Sequence, residues 1–321
     1  MTSLSRLAVP VLFAIAFIAT GAAAAQSYPT KPIRFIVGAS PDLLPRLVAQ
    51  KLSINFGQQV VVDQRPGAGG IIAAETVAKA APDGYTLLLT TGAYVIHAVT
   101  LQSKLPYKLE RDLAPVTLLT LLPVIVAVNP SLPAKSLEDL MQLARAKPGQ
   151  LNCAHAGPST TSHFGCELFK VSAKIDIVAV PFKSAAAALL SVISGEAQVE
   201  FTVMQGGLPY VKSDKLRALA VTGAKRSAQL PDVPTVTEAG LPGVDYFSWN
   251  GVHVTAGTPQ AIIAKLNAEI VRVLKQPDVQ ERMLNLGLEA VGNTPGEFAA
   301  FVKSDIARWA KVVKETGVRA E

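Results

Sequence analysis

Short apolar runs alternate with helical patterns along residues 28–100. The run at 33–37 is β-branched and apolar, which predicts a buried strand. Apolar residues at 44, 47, 48 and 52 then recur at the spacing of a helix face. The pattern continues with predicted strands at 59–62 and 85–90 and a helix at 71–80. This β-α-β-α-β order predicts a parallel sheet with helices on both faces.

The same alternation restarts after an apolar segment at 116–128. Ser136, with Asp139 three residues later, predicts a helix start. Two successive doubly wound units indicate two similar α/β lobes. Strands are predicted at 151–154, 177–180, 199–203 and 216–222, with helices at 161–171 and 185–193.

The C-terminal part has helical patterns with proline near each helix start. Thr258-Pro259 and Thr294-Pro295-Gly296-Glu297 both predict a helix with proline at its first position, and the second is also a capping box. The apolar stripes that follow, such as the one from Phe298 to Val313, indicate surfaces that dock onto a core.

The N-terminus has the three parts of a secretory signal. Arg6 precedes an apolar run at 7–18, and Ala23-Ala24-Ala25 precedes Gln26. The alternative, a membrane anchor, needs a longer run to cross ~30 Å of hydrocarbon. We therefore predict a signal peptide at 1–25, cleaved near Ala25, and a periplasmic mature protein.

Composition excludes two classes of protein. Half of the residues are hydrophobic and 17% are charged, which excludes a disordered chain. The net charge is +6, but the basic residues are scattered and only 6% of residues are aromatic, which argues against a nucleic-acid surface. A mild positive balance favours anionic solutes.

Two cysteines, Cys153 and Cys166, are predicted on a strand and on the following helix. In an oxidising compartment they can form a disulfide, and they can equally be two buried thiols. The sequence leaves both open.

Four segments are predicted at the carboxyl ends of strands, where ligands bind in open α/β sheets. Backbone N–H groups and the dipole of the following helix favour anions there. The 65–70 segment lacks the Gly-Lys-Ser/Thr of a phosphate loop and does not fit Gly-x-Gly-x-x-Gly, so no nucleotide is implied. The four segments are 38–42, 65–70, 90–93 and 155–163.

Ser159 and His163 raise the question of acyl transfer. The sequence around Ser159 is not the Gly-x-Ser-x-Gly elbow, and no third orienting group is evident. A secreted serine hydrolase is therefore a minor alternative, and no catalytic residue is assigned. The other histidines, His97, His155 and His253, show no metal-ligand spacing, so no metal site is predicted.

At this point the chain resembles the Bug-type receptors, the extracytoplasmic solute-binding components of tripartite tricarboxylate transporters. The resemblance covers residues 28–316 and depends on the order and spacing of several markers. These are Tyr-Pro-Thr-Lys-Pro-Ile-Arg at 28–34, Arg-Pro-Gly-Ala-Gly-Gly at 65–70, Ala-Pro-Asp-Gly-Tyr-Thr at 81–86, Val-Pro-Phe-Lys at 180–183, Leu-Pro-Asp-Val-Pro-Thr at 230–235, Glu-Ala-Gly-Leu-Pro at 238–242 and Thr-Pro at 258–259.

The resemblance implies a two-lobed clamp with a discontinuous first domain. Domain 1 is expected at 26–125 and 252–321, and domain 2 at 126–251. Two departures from the family pattern predict an altered pocket shape. The 38–42 loop is shorter than usual and has no paired glycine, and the family's Ser-x-Gly-x-Gly-Ser becomes His-Ala-Gly-Pro-Ser-Thr at 155–160.

The sequence thus predicts a receptor that closes around a small mono- or dicarboxylate and presents it to membrane transporter subunits. We expect a monomer with no cofactor and no nucleic-acid partner. A ligand sensor that presents its closed form to a signalling protein is the alternative that needs the same clamp. The expected ligand-binding residues are Ala39, Ser40, Asp42, Thr91 and Gly92 from the first lobe, and Gly157, Thr160, Thr161, Ser162 and Thr202 from the second.

Overall fold

The computed structural model of the protein describes residues 28–38, 43–101 and 104–317. The signal segment at 1–25 and the predicted ligand residues Ala39, Ser40 and Asp42 lie outside the described residues. The strands are β1 (Ile33–Val37), β2 (Val60–Gln64), β3 (Thr86–Thr91), β4 (Leu113–Val128), β5 (Asn152–His155), β6 (Val178–Pro181), β7 (Val199–Val203), β8 (Arg217–Val221), β9 (Phe247–Thr255) and β10 (Glu289–Ala290).

A short 3-10 turn at Ala68–Gly70 precedes the second of the described helices. The helices are α1 (Leu43–Phe56), α2 (Ile71–Ala78), α3 (Gly92–Thr100), α4 (Leu109–Asp112), α5 (Leu137–Ala146), α6 (Thr161–Ala173), α7 (Ala185–Ser194), α8 (Met204–Lys212), α9 (Gln260–Leu274), α10 (Pro277–Asn285) and α11 (Pro295–Thr316). None of the helices in the described ranges is long and apolar enough to span a bilayer.

The fold is α/β, as the alternating pattern predicts. The predicted strands appear within two residues of their expected bounds. In the first half, β1 pairs in parallel with β2 and β3, and in the second half, β5 pairs in parallel with β6 and β7. The sheets are mixed rather than purely parallel, because β4 and β9 run antiparallel to each other and to their neighbours β7 and β3.

Strand β4 joins the two halves of the sheet. Its residues from Leu113 to Pro123 pair with β9, and those from Val124 onward pair with β7 and β8. The main path of the ten-stranded sheet is β2-β1-β3-β9-β4-β7-β5-β6, and β8 and β10 each pair with β4 beside this path. The first half of the molecule is the part around β1, β2, β3 and β9, and the second half is the part around β5, β6, β7 and β8. The chain leaves the first half along β4 and returns to it along β9.

The C-terminal helix α11 docks through the apolar stripe that the sequence shows. Its start is the predicted capping box, in which the Thr294 side chain accepts from the Glu297 N–H and the Glu297 carboxylate accepts from the Thr294 N–H. Trp309 is buried and meets the rings of Phe164 and Tyr246 edge-on at 5.2 and 5.5 Å. Helix α11 thereby packs on both halves of the molecule.

The prediction at Thr258-Pro259 was wrong by one residue. Helix α9 begins at Gln260, and Pro259 is its N-cap with a non-helical ψ of 135°. The Thr258 hydroxyl does not cap the helix, because it donates to the Thr255 carbonyl at 2.8 Å. The helix starts without a side-chain cap, and the Pro259 carbonyl accepts from the Ile262 and Ile263 N–H groups.

Cys153 and Cys166 form a disulfide in the structure. The bond links β5 to α6 and closes the chain around the 156–162 loop.

Candidate functional site

A cavity of about 520 Å³ lies between the two halves of the molecule. The first half contributes Gly69, Thr91 and Ala93, together with two larger side chains of α3. The second half contributes residues from 156–162, 183–185 and 200–203. All of these segments lie in the last residues of a strand or shortly after its carboxyl end, as expected for ligand sites in open α/β sheets.

Four helices begin at this cavity. They are α3, α6, α7 and α8, and residues at or beside the first turn of each line the wall. The first-turn N–H groups of a helix have no partner within that helix, and the helix dipole adds a partial positive charge. None of the four helices has an acidic residue in its first turn. The cavity is therefore an electropositive site suited to an anion.

The 156–162 loop is held in shape by its own hydrogen bonds. The Thr160 hydroxyl donates to the Gly157 carbonyl at 2.7 Å, and the Ser162 hydroxyl accepts from the Ala156 N–H at 3.1 Å. Gly157 has φ +102°, a conformation that glycine adopts without strain. The loop thus presents its backbone to the cavity in a fixed geometry.

Most of the described residues that were predicted to bind ligand lie on this cavity. Thr91, Gly157, Thr160, Thr161, Ser162 and Thr202 all line it. Gly92 is the first residue of α3 but is not among the lining residues, and a side chain there would point at the Trp249 indole 3.4 Å away. Ala39, Ser40 and Asp42 stay a prediction.

Ser159 and His163 do not have the arrangement of a nucleophile and its base. The Ser159 hydroxyl lies 3.3 Å from the Thr100 hydroxyl, and the His163 Nδ1 accepts from the Ser159 backbone N–H at 3.3 Å. His163 stacks on His155 with ring centroids 4.4 Å apart. Burial, and then the neighbouring His155, lower the pKa of His163 to about 4. This histidine therefore acts as a packed, neutral ring.

Sequence reasoning missed three buried polar residues on the cavity wall. They are Tyr94 and His97 on α3 and Glu200 on β7, and each is at most 5% exposed. Helix α3 was not predicted, so the shared face of Tyr94 and His97, three residues apart, was not seen. Glu200 had a signal that could have found it, since it is a lone acidic residue within the apolar run Val-Glu-Phe-Thr-Val.

The glycines of the 65–70 segment make room for the two α3 side chains. Gly69 and Gly70 have positive φ, at +63° and +101°. A Cβ on Gly70 would lie 2.6 Å from the Tyr94 hydroxyl, and one on Gly69 would lie 2.7 Å from the His97 ring. The paired glycines therefore allow the backbone of this segment to lie close to α3. They also form the turn that the sequence predicts.

Burial controls the charge state of the cavity. It raises the pKa of Glu200 to about 8 and lowers that of His97. The four helix N-termini and the Lys183 ammonium oppose this shift for Glu200, because a positive potential favours the carboxylate. Burial makes the Glu200 carboxyl easier to protonate than that of an exposed glutamate. Lys183 supplies an ammonium group to the described lining, and its side chain is exposed.

Two α/β halves around a cleft of helix N-termini define a solute-binding receptor. The chain belongs to the tripartite tricarboxylate transporter family receptors, TctC, whose family model matches residues 44–318. Protein BugT of Bordetella pertussis is 36% identical over 312 residues, which are 94% of this chain and 96% of BugT.

Solved structures have the same fold. Rpa4515 of R. palustris, described with adipate, has a TM-score of 0.83 at 34% identity and covers 91% of this chain and 99% of its own. MatC (Rpa3494) from Rhodopseudomonas palustris, with bound malate, has a TM-score of 0.80 at 34% identity and covers 89% of this chain and 100% of its own. Adipate and malate are both dicarboxylates.

Proposed function

We propose that this receptor captures a small carboxylate in the cavity between its two halves and presents it to the membrane subunits of a tripartite transporter. The observation that carries the proposal is the convergence of four helix N-termini, without first-turn acidic residues, on one cavity. The adipate of Rpa4515 and the malate of MatC support a carboxylate.

The proposed binding residues come from both sides of the cleft. Backbone N–H groups at the starts of α3, α6 and α7 hold the carboxylate. The described residues that we assign to the ligand are Thr91, Gly157, Thr160, Thr161, Ser162 and Thr202, and Gly92, which is off the cavity wall, is not assigned. Ala39, Ser40 and Asp42 complete the first-lobe contribution in this proposal.

The two-lobe division is part of the same proposal. Domain 1 comprises 26–125 and 252–321, and domain 2 comprises 126–251. The change of partners along β4, from β9 up to Pro123 to β7 from Val124, supports a boundary in this part of the strand. Ligand contacts to both lobes would shift the open–closed equilibrium toward the closed form.

We infer further that the protein performs no catalysis and acts in the periplasm as a monomer after cleavage of the signal peptide near Ala25. The geometry of Ser159 and His163 supports the absence of catalysis. The His163 ring accepts a hydrogen bond from the Ser159 backbone N–H and does not activate the Ser159 hydroxyl. The family's receptor role supports the action in the periplasm.

A thermal-shift panel tests the function. Malate, adipate, citrate and simple monocarboxylates are added to the mature protein, and a neutral diamide of matched size is the control. At a hundredfold excess over the dissociation constant, a true ligand stabilises the fold by about 2.7 kcal/mol. We expect at least one carboxylate to raise the melting temperature while the diamide does not. A panel without effect, or equal stabilisation by the diamide, contradicts the proposal.

A further inference from the structure

Three buried polar atoms without a hydrogen-bond partner belong to residues that line the cavity. They are the Tyr94 hydroxyl, His97 Nδ1 and Glu200 Oε2. Buried polar groups in native proteins nearly always have a partner, so each such atom requires an explanation. The other atom of this kind within the described residues, the Tyr107 hydroxyl, belongs to a residue that borders a separate cavity. The concentration at one cavity indicates that the missing partner is the ligand.

The Glu200 carboxyl lies in an apolar part of the second half. In the sheet, Glu200 pairs with Ala127 of β4 and Ala154 of β5, and Ala188 of α7 belongs to the apolar cluster on the same side. The small side chains of these alanines leave space beside the carboxyl. Glu200 itself is 1% exposed, and no ion pair involving it occurs among the described residues. Nothing in the described part of the chain neutralises it.

We propose that Glu200 binds the ligand as a neutral carboxylic acid, donating a hydrogen bond to an acceptor oxygen of the bound anion. The inference rests on the proposed function of the same cavity. Tyr94 and His97 face the ligand from the other half. The ligand class is then a carboxylate with a second acceptor group, such as another carboxylate, and not a carboxylate with an ammonium group.

The surroundings of the cavity disfavour a ligand ammonium beside Glu200. Four helix N-termini and the Lys183 ammonium give the site a positive potential, which repels a second cation. A bound anion near Glu200 makes its ionisation still less favourable. The neutral acid and the anionic ligand therefore stabilise each other.

The proposal implies that binding weakens at alkaline pH. Ionised Glu200 would place a second negative charge against the ligand, and burial puts the pKa of this carboxyl at about 8. The binding-competent fraction falls about tenfold between pH 7 and pH 9, and the apparent affinity falls with it.

Other titratable groups near Glu200 are retained in a Glu200→Gln variant, which isolates the effect of this carboxyl. Those on the cavity are Tyr94, His97 and Lys183. Burial lowers the pKa of His97 and His155, and that of His163 to about 4, so these rings are already neutral at pH 7. The elements packed against β7 contribute His155 of β5, His163, Glu167 and Lys170 of α6, and Tyr210 and Lys212 of α8.

Calorimetric titration of the mature protein at pH 7 and pH 9 tests the inference. The probes are malate, adipate and 5-aminopentanoate, in which an ammonium replaces one carboxylate of adipate. Wild type should bind a dicarboxylate about tenfold more weakly at pH 9 and bind the amine more weakly than adipate.

Glu200→Gln, which keeps a donor, should bind within about threefold of wild type at pH 7 and lose the pH dependence. Glu200→Ala should bind about tenfold more weakly at pH 7. Glu196→Gln, at an exposed position four residues earlier, is the matched control and should behave as wild type.

A second measurement needs only the wild type. At pH 8.5, the binding enthalpy in two buffers of different ionisation enthalpy should report uptake of most of one proton, and at pH 6.5 almost none. Absence of proton uptake, unchanged pH dependence in Glu200→Gln, or tighter binding of 5-aminopentanoate that this variant abolishes would overturn the inference. If any of these results is found while dicarboxylates bind wild type, the proposal for Glu200 fails and the proposed receptor function stands. If no carboxylate binds wild type, the proposal for Glu200 and the proposed receptor function both fail.

Discussion

The ligand-free Glu200→Gln variant is expected to be more stable than wild type by about 4 kcal/mol at pH 8 and nearly equal to it at pH 4. The glutamate pKa is about 4.5 in the unfolded chain, and burial raises it to about 8 in the folded protein. Between these values the unfolded chain releases the proton while the folded chain keeps it. Raising the pH therefore favours the unfolded state of wild type, and glutamine removes this dependence.

Urea denaturation at pH 4, 6 and 8 measures the effect, with Glu196→Gln as the exposed control. Histidines with lowered pKa values, such as His253 at about 3, make the folded state less stable as the pH falls below 6.5. They are present in all variants, so the difference between wild type and Glu200→Gln cancels them. If the free energies of unfolding of wild type and Glu200→Gln change with pH in parallel, then Glu200 is ionised or has a hydrogen-bond partner in the ligand-free receptor. A stabilised variant would also mean that wild type gives up stability at its binding site.

Trp309→Ala is expected to lower the free energy of unfolding by about 3–5 kcal/mol. The indole is buried between the rings of Phe164 and Tyr246. Removing it leaves a cavity where α11 meets α6, at a contact between the first and second halves of the molecule. Chemical denaturation measures the loss.

Lys303→Ala is the control for this substitution, because it truncates an exposed side chain on the same helix. Its cost should stay within about 0.5 kcal/mol. Equal stability of Trp309→Ala and wild type would show that α11 does not hold the two halves together through this indole. A large loss in both variants would indicate instead that the helix is sensitive to any truncation.

The strands could be predicted because their signal is local. Residues 33–37, 151–154 and 199–203 are short, mainly apolar runs in which most side chains are buried. Side-chain caps were equally visible, as Ser136 with Asp139 shows. Helix α3 was missed because it follows β3 without a loop and has the sequence Gly-Ala-Tyr-Val-Ile-His-Ala-Val-Thr, in which β-branched residues obscure the helical period.

Part of the candidate site could be predicted from the rule that ligands bind at the carboxyl ends of strands in open α/β sheets. That rule identifies Thr91, Gly157 and Thr160, which lie on the cavity. It does not identify residues whose position depends on tertiary packing. Tyr94 and His97 require α3 and the close approach of Gly69 and Gly70, and Glu200 requires knowing which face of β7 the cavity lies on.

The proposed function requires that helix N-termini hold an anion in the cavity. A pair of adjacent substitutions on α7 tests this requirement most directly. Ala185 and Ala186 are both exposed residues of the first turn of α7, but Ala185 lines the cavity and Ala186 is not among its lining residues. Glutamate at either position changes the net charge equally and is equally compatible with a helix start.

Calorimetric titration of the carboxylate that binds wild type most tightly should therefore separate the two variants. We expect Ala185→Glu to weaken binding at least about tenfold and Ala186→Glu to stay within about threefold of wild type. Wild-type affinity in Ala185→Glu, or the same loss in both variants, would contradict an anion site at these helix N-termini.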